Sequence, residues 1–316
     1  MKVLLTFDVE VWCNSWEHLD KLFPSAFDRY VYGHSRHGSY ALPKTLEILN
    51  THGLQGVFFI EPLFAARFGL SYLQTIVNLI RDAGQDIQLH LHPEWTDEIS
   101  PPIIRDNQVK RQHLSHYSLA EQAALIGHGK RMLLEAGAGP ISAFRAGSFA
   151  CNRNTFRALR ANDIHTDSSL NAYYEISGSD LGGGTWRWKP SVLEGINCFP
   201  VSQFVDGLGK VRPVQLAGCG LGELRDAIDS AAAAGEHEFI LVSHNFEMLM
   251  PNSSQPDRIV VRRFQNLCQF LDENRDRLPT ATYSECSVAD RSPAARPHAR
   301  LGSTVIRHME QLWRRL

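Results

Sequence analysis

The chain has 316 residues, of which 43% are hydrophobic and 21% charged, the proportions of an ordinary globular protein. A formal net charge of -2 gives no electrostatic reason to expect a nucleic-acid partner. No apolar run reaches the roughly 18 residues needed to span a bilayer, and the six scattered cysteines form no Cys-x-x-Cys pair, which excludes a dense disulfide framework.

Predicted strands and helices alternate along the chain. A strand over Lys2–Phe7 is followed by a long segment, Trp12 to Tyr40, that is rich in aromatic residues and histidines. The helices predicted after that segment are, in chain order, Leu42–Thr51, Tyr72–Ala83, Ser118–Ala136, Asn152–Ala161, Leu221–Ala234 and Arg258–Arg275. The strands predicted between them are Gly56–Ile60, Asp86–His90, Ile141–Arg145, Ile164–Asp167, Glu238–His244 and Thr280–Tyr283, with short extended pieces at Thr185–Trp188 and Asn197–Val201. This alternation predicts an α/β fold, a barrel of about seven parallel strands in a single domain.

The composition of the chain changes near its end. We expect residues 1–285 to form the barrel and residues 286–302, rich in Ser, Pro, Ala and Arg, to form a loose linker. Residues 303–316 are predicted to form an amphipathic helix whose apolar face consists of Val305, Ile306, Met309, Leu312, Trp313 and Leu316. Docking of this helix on the barrel or on a second subunit is favoured over binding to a membrane surface, and both interpretations stay open.

Side chains that can bind a metal follow two of the predicted strands. Asp8 and Glu10 are two residues apart, so in an extended chain both carboxylates point to the same side, and His90 and His92 share that spacing. An isolated Asp-x-Glu is more often a pair of solvated acids at a strand end. Parallel strands, however, bring their carboxyl ends to one edge, and two imidazoles with one carboxylate are the ligand set of a catalytic zinc-like site. The two motifs together therefore predict a metal site.

Three further strand ends carry groups that fit around such a metal. Arg145 is predicted to pair with Asp8 and to keep it ionised and oriented. His244 is predicted to be a proton donor, with Asp167 accepting the N–H of its other ring nitrogen. Taken singly, Arg145 and Asp167 are at least as readily interpreted as ordinary ion-pair partners.

The order of these motifs resembles the polysaccharide deacetylase family, the NodB-homology domains of carbohydrate esterase family 4. The resemblance covers residues 1–285 and rests on Leu5-Thr6-Phe7-Asp8-Val9-Glu10, Leu89-His90-Leu91-His92-Pro93, Phe144-Arg145-Ala146-Gly147, Asp167-Ser168-Ser169, Val242-Ser243-His244 and Thr280–Glu285. It implies a distorted (β/α) barrel and metal-dependent deacetylation of N-acetylated sugars. The resemblance implies that Asp8 is the general base and that Arg145 is its partner. It implies that His244 is the general acid and that Asp167 orients it. The implied metal ligands are Glu10, His90 and His92.

Three differences from the family pattern indicate a divergent branch. The family usually has adjacent aspartates, whereas here one residue separates Asp8 from Glu10. Its histidines are usually four apart, but Gln88 stands four residues before His92, so His90 must supply the other ligand. Its arginine motif often continues with prolines, and here it continues with Ala146-Gly147-Ser148.

The resemblance also sets the expected cofactor and substrate. The expected cofactor is a divalent metal, zinc first, with cobalt, manganese and iron as alternatives. The long loops after the first and third strands would form the walls of a substrate groove, and the candidates for sugar stacking or another substrate contact are Trp12, Trp16, Trp95, Tyr117 and Asn245. Packing of the aromatic residues within their own loops is about as probable for each one alone.

The predicted function is metal-dependent deacetylation of an N-acetylated carbohydrate, such as a lipid-linked or nucleotide-linked precursor of a surface polysaccharide. Two alternatives stay open. One is metal-assisted hydrolysis of another amide, such as a cyclic ureide or a formyl group, and the other is a catalytically silent barrel that binds carbohydrate or acts as a scaffold. A cytoplasmic location is expected, because a strand starts at Lys2 with no signal-like segment before it. Peripheral membrane attachment or self-association would use the C-terminal helix.

Overall fold

The structure is a computed structural model that describes residues 1–105, 109–174, 177–288 and 295–314. Its strands are β1 (Lys2–Val9), β2 (His34–Ser35), β3 (Gly38–Ser39), β4 (Gly56–Ile60), β5 (Asp86–Leu91), β6 (Ala143–Ala146), β7 (Thr166–Asp167), β8 (Ser191–Leu193), β9 (Ile196–Cys198), β10 (Gln203–Val205), β11 (Val211–Pro213) and β12 (Glu238–His244). Its α-helices are α1 (Leu19–Phe27), α2 (Leu42–Thr51), α3 (Ala65–Phe68), α4 (Leu70–Asp82), α5 (Leu119–Glu135), α6 (Arg153–Ala161), α7 (Leu221–Ala233), α8 (Arg258–Glu273) and α9 (Leu301–Trp313).

One curled sheet of eight strands dominates the architecture, in the order β12-β1-β4-β5-β6-β7-β9-β8. All of its strands run parallel to their neighbours except β8, which pairs antiparallel with β9. Residues 202–216 hydrogen-bond along the other edge of β12, where Ser202 N donates to Ile240 O and Leu216 N donates to Val242 O, each at 3.1 Å. The predicted single-domain, distorted barrel of about seven parallel strands is therefore confirmed.

The structure differs from the sequence prediction at several elements, and the short strands β2, β3, β8, β10 and β11 and the helix α3 are among those that the sequence did not predict. Thr280–Tyr283 does not form a strand: Thr280 makes an isolated bridge to Val3, and a 3-10 turn follows at Tyr283–Glu285 because Thr282 and Glu285 cap each other. The seventh parallel strand is instead β9. The piece predicted as extended at Thr185–Trp188 contains a 3-10 turn, Thr185–Arg187. Helix α1 lies in the segment for which no element was predicted, since its internal Pro24 breaks a helical pattern in the sequence.

Alternating side chains of the strands separate the barrel interior from the layer beneath the helices. In β1, Val3, Leu5 and Phe7 belong to the large apolar core that the helices cover. Leu4 belongs to a second apolar cluster inside the curl, together with Val57, Phe59, Ala143, Phe199, Ile240 and Tyr283. Thr6 and Asp8 follow Leu4 at a spacing of two residues, so their side chains also point into the barrel interior. Apolar residues therefore fill one end of the interior, and polar residues lie at the carboxyl ends of the strands.

The last helix packs on the body of the protein through its polar side. α9 contacts α7, and the residues of α9 that are buried there are Ser303, Thr304 and Arg307. None of the helices in the described ranges is both long and apolar enough to cross a membrane.

Candidate metal centre

Strand register brings the candidate site residues to one end of the barrel. Asp8 is paired with His244 of β12, and His90 of β5 is paired with Arg145 of β6. Glu10 follows β1 on the same side as Asp8 because side chains alternate with a period of two. The parallel order of the strands thus gathers residues that are up to 236 positions apart in the chain, as the separation of Asp8 and His244 shows.

Glu10, His90 and His92 converge on a single point. Glu10 Oε1 lies 3.0 Å from His90 Nε2 and 3.0 Å from His92 Nε2, and all three side chains are buried. When an ion is coordinated tetrahedrally with metal–ligand bonds of about 2.0–2.1 Å, neighbouring ligand atoms are about 3.3 Å apart. The three donor atoms are therefore spaced for one small cation.

The other nitrogen of each imidazole is already committed to an acceptor. His90 Nδ1 is 2.8 Å from the carbonyl oxygen of Arg145, and His92 Nδ1 is 3.2 Å from Glu94 Oε2. Both oxygens can only accept from an imidazole N–H, so each neutral ring carries its proton on Nδ1. The two Nε2 lone pairs then face the lone pairs of Glu10 Oε1. Such an arrangement needs a cation or extra protons between its members, and it fits a bound divalent metal.

The charges of this group are strongly coupled. Burial raises the pKa of Glu10, but the charge of His92 and the hydrogen bonds with His90 and His92 outweigh it and hold the pKa well below its ordinary value. Burial lowers the pKa of His92, but the carboxylates of Glu10 and Glu94 outweigh it and hold the pKa well above its ordinary value. A divalent cation would displace the protons that these shifts retain, because metal ligands must be deprotonated.

Asp8 is held by a fully buried arginine. Arg145 Nη1 donates to Asp8 Oδ1 at 2.7 Å, and Arg145 Nη2 donates to Thr6 Oγ1 at 2.9 Å and to Ser168 Oγ at 3.0 Å. Its guanidinium also stacks over the ring of Phe59, 4.4 Å from the centroid. One oxygen of Asp8 is therefore fixed by a charge-assisted hydrogen bond, which leaves the other for a proton.

His244 ends β12 and is held by a glutamate of the turn that follows. Its Nδ1 donates to Glu247 Oε1 at 2.9 Å. Burial lowers the pKa of His244, but the hydrogen bond to Glu247 and the charges of Glu10, Glu247 and Asp8 raise it to about 9. Its side chain is 24% exposed, whereas those of His90 and His92 are 2% and 7% exposed. His244 is thus the histidine of this site that a substrate can reach.

The predicted contact between Asp167 and His244 is wrong. Asp167 Oδ1 accepts from Ser169 N at 2.9 Å, and Asp167 Oδ2 accepts from Ser169 Oγ at 2.6 Å. Burial raises the pKa of Asp167 to about 6, against the opposing effect of the Ser169 hydrogen bonds and the charge of Arg145. The reason lies in the sheet order, because β7 is five places from β12, whereas Glu247 lies in the turn that follows β12 directly.

The predicted substrate contacts have different outcomes. Trp95 is 1% exposed beneath Trp16, whose ring centroid lies 4.8 Å away, and Asn245 is 1% exposed and hydrogen-bonded to the backbone of Glu10 through both ends of its amide. The amide of Asn245 is therefore used within the protein, whereas Trp95 also lines the cavity beside Trp12, and contact with substrate stays a prediction for both residues. Tyr117 is also buried, with its hydroxyl hydrogen-bonded to the Pro93 carbonyl oxygen at 3.3 Å.

Trp12 contacts the proposed metal ligands Glu10 and His92 and also lines a neighbouring cavity. Its Nε1 donates to Glu10 Oε2 at 2.6 Å, and its ring lies edge-on to His92 with centroids 4.8 Å apart. The cavity beside it has a volume of about 270 Å³ and is lined by Trp12, Cys13, Asn14, Ser15, Trp16, Leu19 and Trp95. Trp12 therefore orients a ligand carboxylate and stays a candidate for contact with substrate.

Three residues that hold the histidines in place were not predicted from the sequence. Glu94 and Glu247 accept the Nδ1–H of His92 and His244, and each is a glutamate placed two or three residues after a histidine at a strand end. Gly147 lies against His92, where an added Cβ would be 2.7 Å from the ring atoms Nδ1 and Cε1. The spacing of the glutamates was a usable signal, whereas the close approach of Gly147 required the fold.

Comparison with known proteins finds similar structures but no similar sequence. No family model matches the sequence, and no curated protein matches it. The structure resembles a Mycobacterium smegmatis protein provisionally assigned as a polysaccharide deacetylase, with 17% identity, a TM-score of 0.52, and coverage of 92% of this chain and 94% of that chain. It also resembles the 4-alpha-glucanotransferase of Thermococcus litoralis, with 11% identity, a TM-score of 0.55, and coverage of 96% of this chain and 42% of that chain. A family 4 carbohydrate esterase from Streptomyces lividans, in complex with acetate, matches with 12% identity, a TM-score of 0.41, and coverage of 89% and 92%.

The similarities to the first two proteins show a shared barrel fold. Their names describe different reactions, so the fold by itself leaves the chemistry open. The reaction has to be argued from the side chains at the carboxyl ends of the strands.

Proposed function

We propose that the protein is a divalent-metal-dependent hydrolase that removes the acetyl group from an N-acetylated carbohydrate. One observation carries the proposal: the Nε2 atoms of His90 and His92 each lie 3.0 Å from Glu10 Oε1, and the ligand atoms of all three residues lie within 4.8 Å of one another. Asp8, Glu10 and His244 also have ligand atoms within 4.8 Å of one another. A proton acceptor and a proton donor thus flank the point where a cation would lie.

Glu10, His90 and His92 would hold the metal. Two histidines and one carboxylate, with at least one open position, are the ligand set of catalytic zinc, so zinc is the first candidate, ahead of cobalt, manganese and iron. When bound, such an ion polarises an amide carbonyl and makes a water molecule more acidic. Glu94 and the Arg145 carbonyl oxygen hold the two imidazoles by their Nδ1–H groups, which keeps both Nε2 atoms free to coordinate.

Asp8 and His244 would move the protons. Asp8 accepts a proton from the attacking water, and Arg145 holds its other oxygen and balances its charge. His244 gives its Nε2 proton to the departing amine nitrogen, while Glu247 keeps the ring oriented through Nδ1 and stabilises the protonated form. Burial lowers the pKa of His244, but the hydrogen bond to Glu247 and the neighbouring carboxylates raise it to about 9, which favours a protonated donor.

The cavity beside Trp12 supports a carbohydrate substrate. Trp12 and Trp16 are partly exposed and form aromatic walls next to the metal ligands. Aromatic rings bind the C–H faces of sugars, and the polar side chains Asn14 and Ser15 on the same cavity are suited to hydroxyl groups. An acetamido group on a sugar bound here would lie close to Glu10 and His92.

Glycosyl transfer, the reaction named for one protein of similar fold, is poorly supported by the same site. That chemistry usually needs a carboxylic acid whose pKa is raised enough to protonate the leaving oxygen. The pKa of Glu10 is held well below its ordinary value, and Asp8 faces the Arg145 guanidinium. Glu10 is therefore not suited to donate a proton, and one oxygen of Asp8 is already bound by Arg145.

The test combines metal removal with a substrate panel. Purified protein is chelated, dialysed and reloaded with zinc, cobalt, manganese or iron, and acetate release is measured on N-acetylated mono- and oligosaccharides alongside small cyclic amides. We expect activity on the acetylated sugars to be lost on chelation and restored by metal. A matched pair of variants accompanies it, His90→Asn at the centre and His34→Asn at an exposed histidine, and only the former should lose metal.

Each other result has a defined meaning. Full activity after exhaustive chelation and dialysis contradicts the metal mechanism. Hydrolysis of cyclic amides without acetate release identifies a different amidohydrolase. Stoichiometric metal binding without hydrolysis of any member of the panel identifies a catalytically silent barrel.

A further inference from the structure

Helix α9 is attached to the barrel by charged and hydroxyl side chains. Arg307 Nε donates to Glu223 Oε1 at 2.9 Å, Thr304 Oγ1 donates to the same oxygen at 2.8 Å, and Ser303 Oγ donates to Asp226 Oδ2 at 2.6 Å. Arg307 and Glu223 are buried, so this attachment consists of desolvated, charge-assisted hydrogen bonds. The polar side of the helix thus faces the protein.

Three glycines fix the orientation of α9. A Cβ on Gly207 would lie 2.3 Å from the Leu301 Cα, a Cβ on Gly222 would lie 2.8 Å from the Ser303 Oγ, and a Cβ on Gly220 would lie 3.1 Å from the Arg307 Cβ. The helix therefore packs directly on the backbone of the body. Any rotation of α9 about its axis would break these contacts together with the Arg307 ion pairs.

The opposite side of α9 is an apolar face exposed to solvent. Trp313 is 77% exposed, Leu312 62% and Met309 61%, and the face also includes Leu301, Val305 and Ile306. A contiguous exposed apolar surface of this kind on a folded protein marks a binding site for a partner or a membrane. We call these six residues the α9 apolar face.

Positive charge lies beside this face. Arg258 and Arg262 of α8 are exposed, and neither forms an ion pair with any residue in the described ranges. They line a cavity of about 240 Å³ together with Arg263 and Glu310. Glu310 neighbours Ile306 and Trp313 on the surface of α9 at helical spacing, so the cavity adjoins that edge of the face. The carboxylate of Glu310 accepts from Arg263 Nη2 at 2.6 Å, so it is already neutralised. The surface beside the α9 apolar face is therefore basic.

We propose that the α9 apolar face binds the surface of a membrane that contains anionic phospholipids. An apolar helix face bordered by arginines is typical of helices that lie in the membrane interface, where the arginines meet lipid phosphates. A second copy of the chain is the less suitable partner, because a two-fold pairing of this face would place Arg258 and Arg262 close to their own copies. The inference is independent of the proposed deacetylase activity.

The test uses the full-length protein with sucrose-loaded vesicles of equal parts phosphatidylglycerol and phosphatidylcholine, and with vesicles of phosphatidylcholine alone. We expect sedimentation with the anionic vesicles and a marked loss of binding in high salt. The double variant Ile306→Ser/Met309→Ser should abolish binding, and Arg258→Gln and Arg262→Gln should each weaken it about fivefold. Leu134→Ser, at an exposed leucine of α5, is the matched control and should bind like the wild type.

Tryptophan fluorescence gives a second readout. Brominated phospholipids should quench part of the emission of the wild type and less of it in Trp313→Phe, because Trp313 would enter the interface. The absence of binding, or binding that Ile306→Ser/Met309→Ser leaves intact, overturns the proposal. A stable dimer that the same double variant converts to a monomer overturns it as well and assigns the face to self-association.

Discussion

Replacing Gly147 with alanine tests the position of His92 without removing any polar group. The added Cβ would lie 2.7 Å from His92 Nδ1 and Cε1, whereas ordinary contacts between such atoms are about 3.5–4.0 Å. The imidazole would have to move by about 1 Å, and metal–ligand distances tolerate only about 0.2 Å. We expect the affinity for zinc to fall about 100-fold, the upper end of the effect of disturbed ligand orientation, which is about 2.8 kcal/mol.

The control for this variant is Gly139→Ala. Gly139 has no heavy atom within 4 Å of the position of an added Cβ, and neither glycine has a left-handed φ, so alanine causes no backbone strain at either site. Zinc affinity is measured by competition with a chromophoric chelator, and thermal unfolding of the metal-free proteins checks that both variants fold. Wild-type affinity in a correctly folded Gly147→Ala protein would refute the assignment of His92 as a ligand.

Three further variants separate the roles within the site. Asp8→Asn should lower kcat by about 10²- to 10⁴-fold while zinc stoichiometry, measured by elemental analysis, stays unchanged; unaltered kcat would exclude Asp8 as the base. Glu247→Gln should lower the pKa of His244 from about 9, so the loss of activity on raising the pH should begin at a lower pH, and an unshifted pH profile would argue against His244 as the acid. The stability from the raised pKa of His244 is fully present below pH 6.5 and is lost as the pH rises through about 9, and denaturant titrations should show a smaller loss in Glu247→Gln. Trp12→Phe removes the N–H that donates to Glu10 Oε2 and should weaken zinc binding about tenfold; an unchanged affinity would limit Trp12 to the cavity.

The strands could be predicted from the sequence because parallel strands covered on both faces form continuous apolar runs. Gly56–Ile60 has the predicted bounds, and all five of its residues are buried. Thr280–Tyr283 alternates partly buried threonines with the buried Ala281 and Tyr283, as a strand does, but it forms only a bridge, because the side chains of Thr282 and Glu285 cap a helical turn there. Whether such a segment pairs with a neighbour thus depends on hydrogen bonds that composition does not reveal.

The convergence of the site residues could be predicted from their period of two and from the parallel order of the strands. The pairing of Arg145 with Asp8 was predicted and is present, whereas the partner of His244 was not, because it depends on which strands become neighbours. Asp167 ends a strand as expected, yet β7 is too far along the sheet for its carboxylate to reach His244. Trp95 is of a residue type that often stacks on sugars, but here it is buried because Trp16 and Phe68 pack on it. Their ring centroids lie 4.8 Å and 6.0 Å from that of Trp95.

His92 and His244 are held in the same way and yet are suited to different tasks. Each stands at the end of a strand, and each donates Nδ1–H to a glutamate of the following turn, Glu94 or Glu247, which leaves Nε2 as the functional nitrogen. The Nε2 of His92 is buried and lies 3.0 Å from a Glu10 carboxylate oxygen, so a cation between the two atoms satisfies both. The His244 side chain is 24% exposed and forms no hydrogen bond with Glu10 within the described residues, so its Nε2 is open to a substrate. Exposure and direct contact with Glu10, rather than residue type, therefore distinguish the metal ligand from the acid.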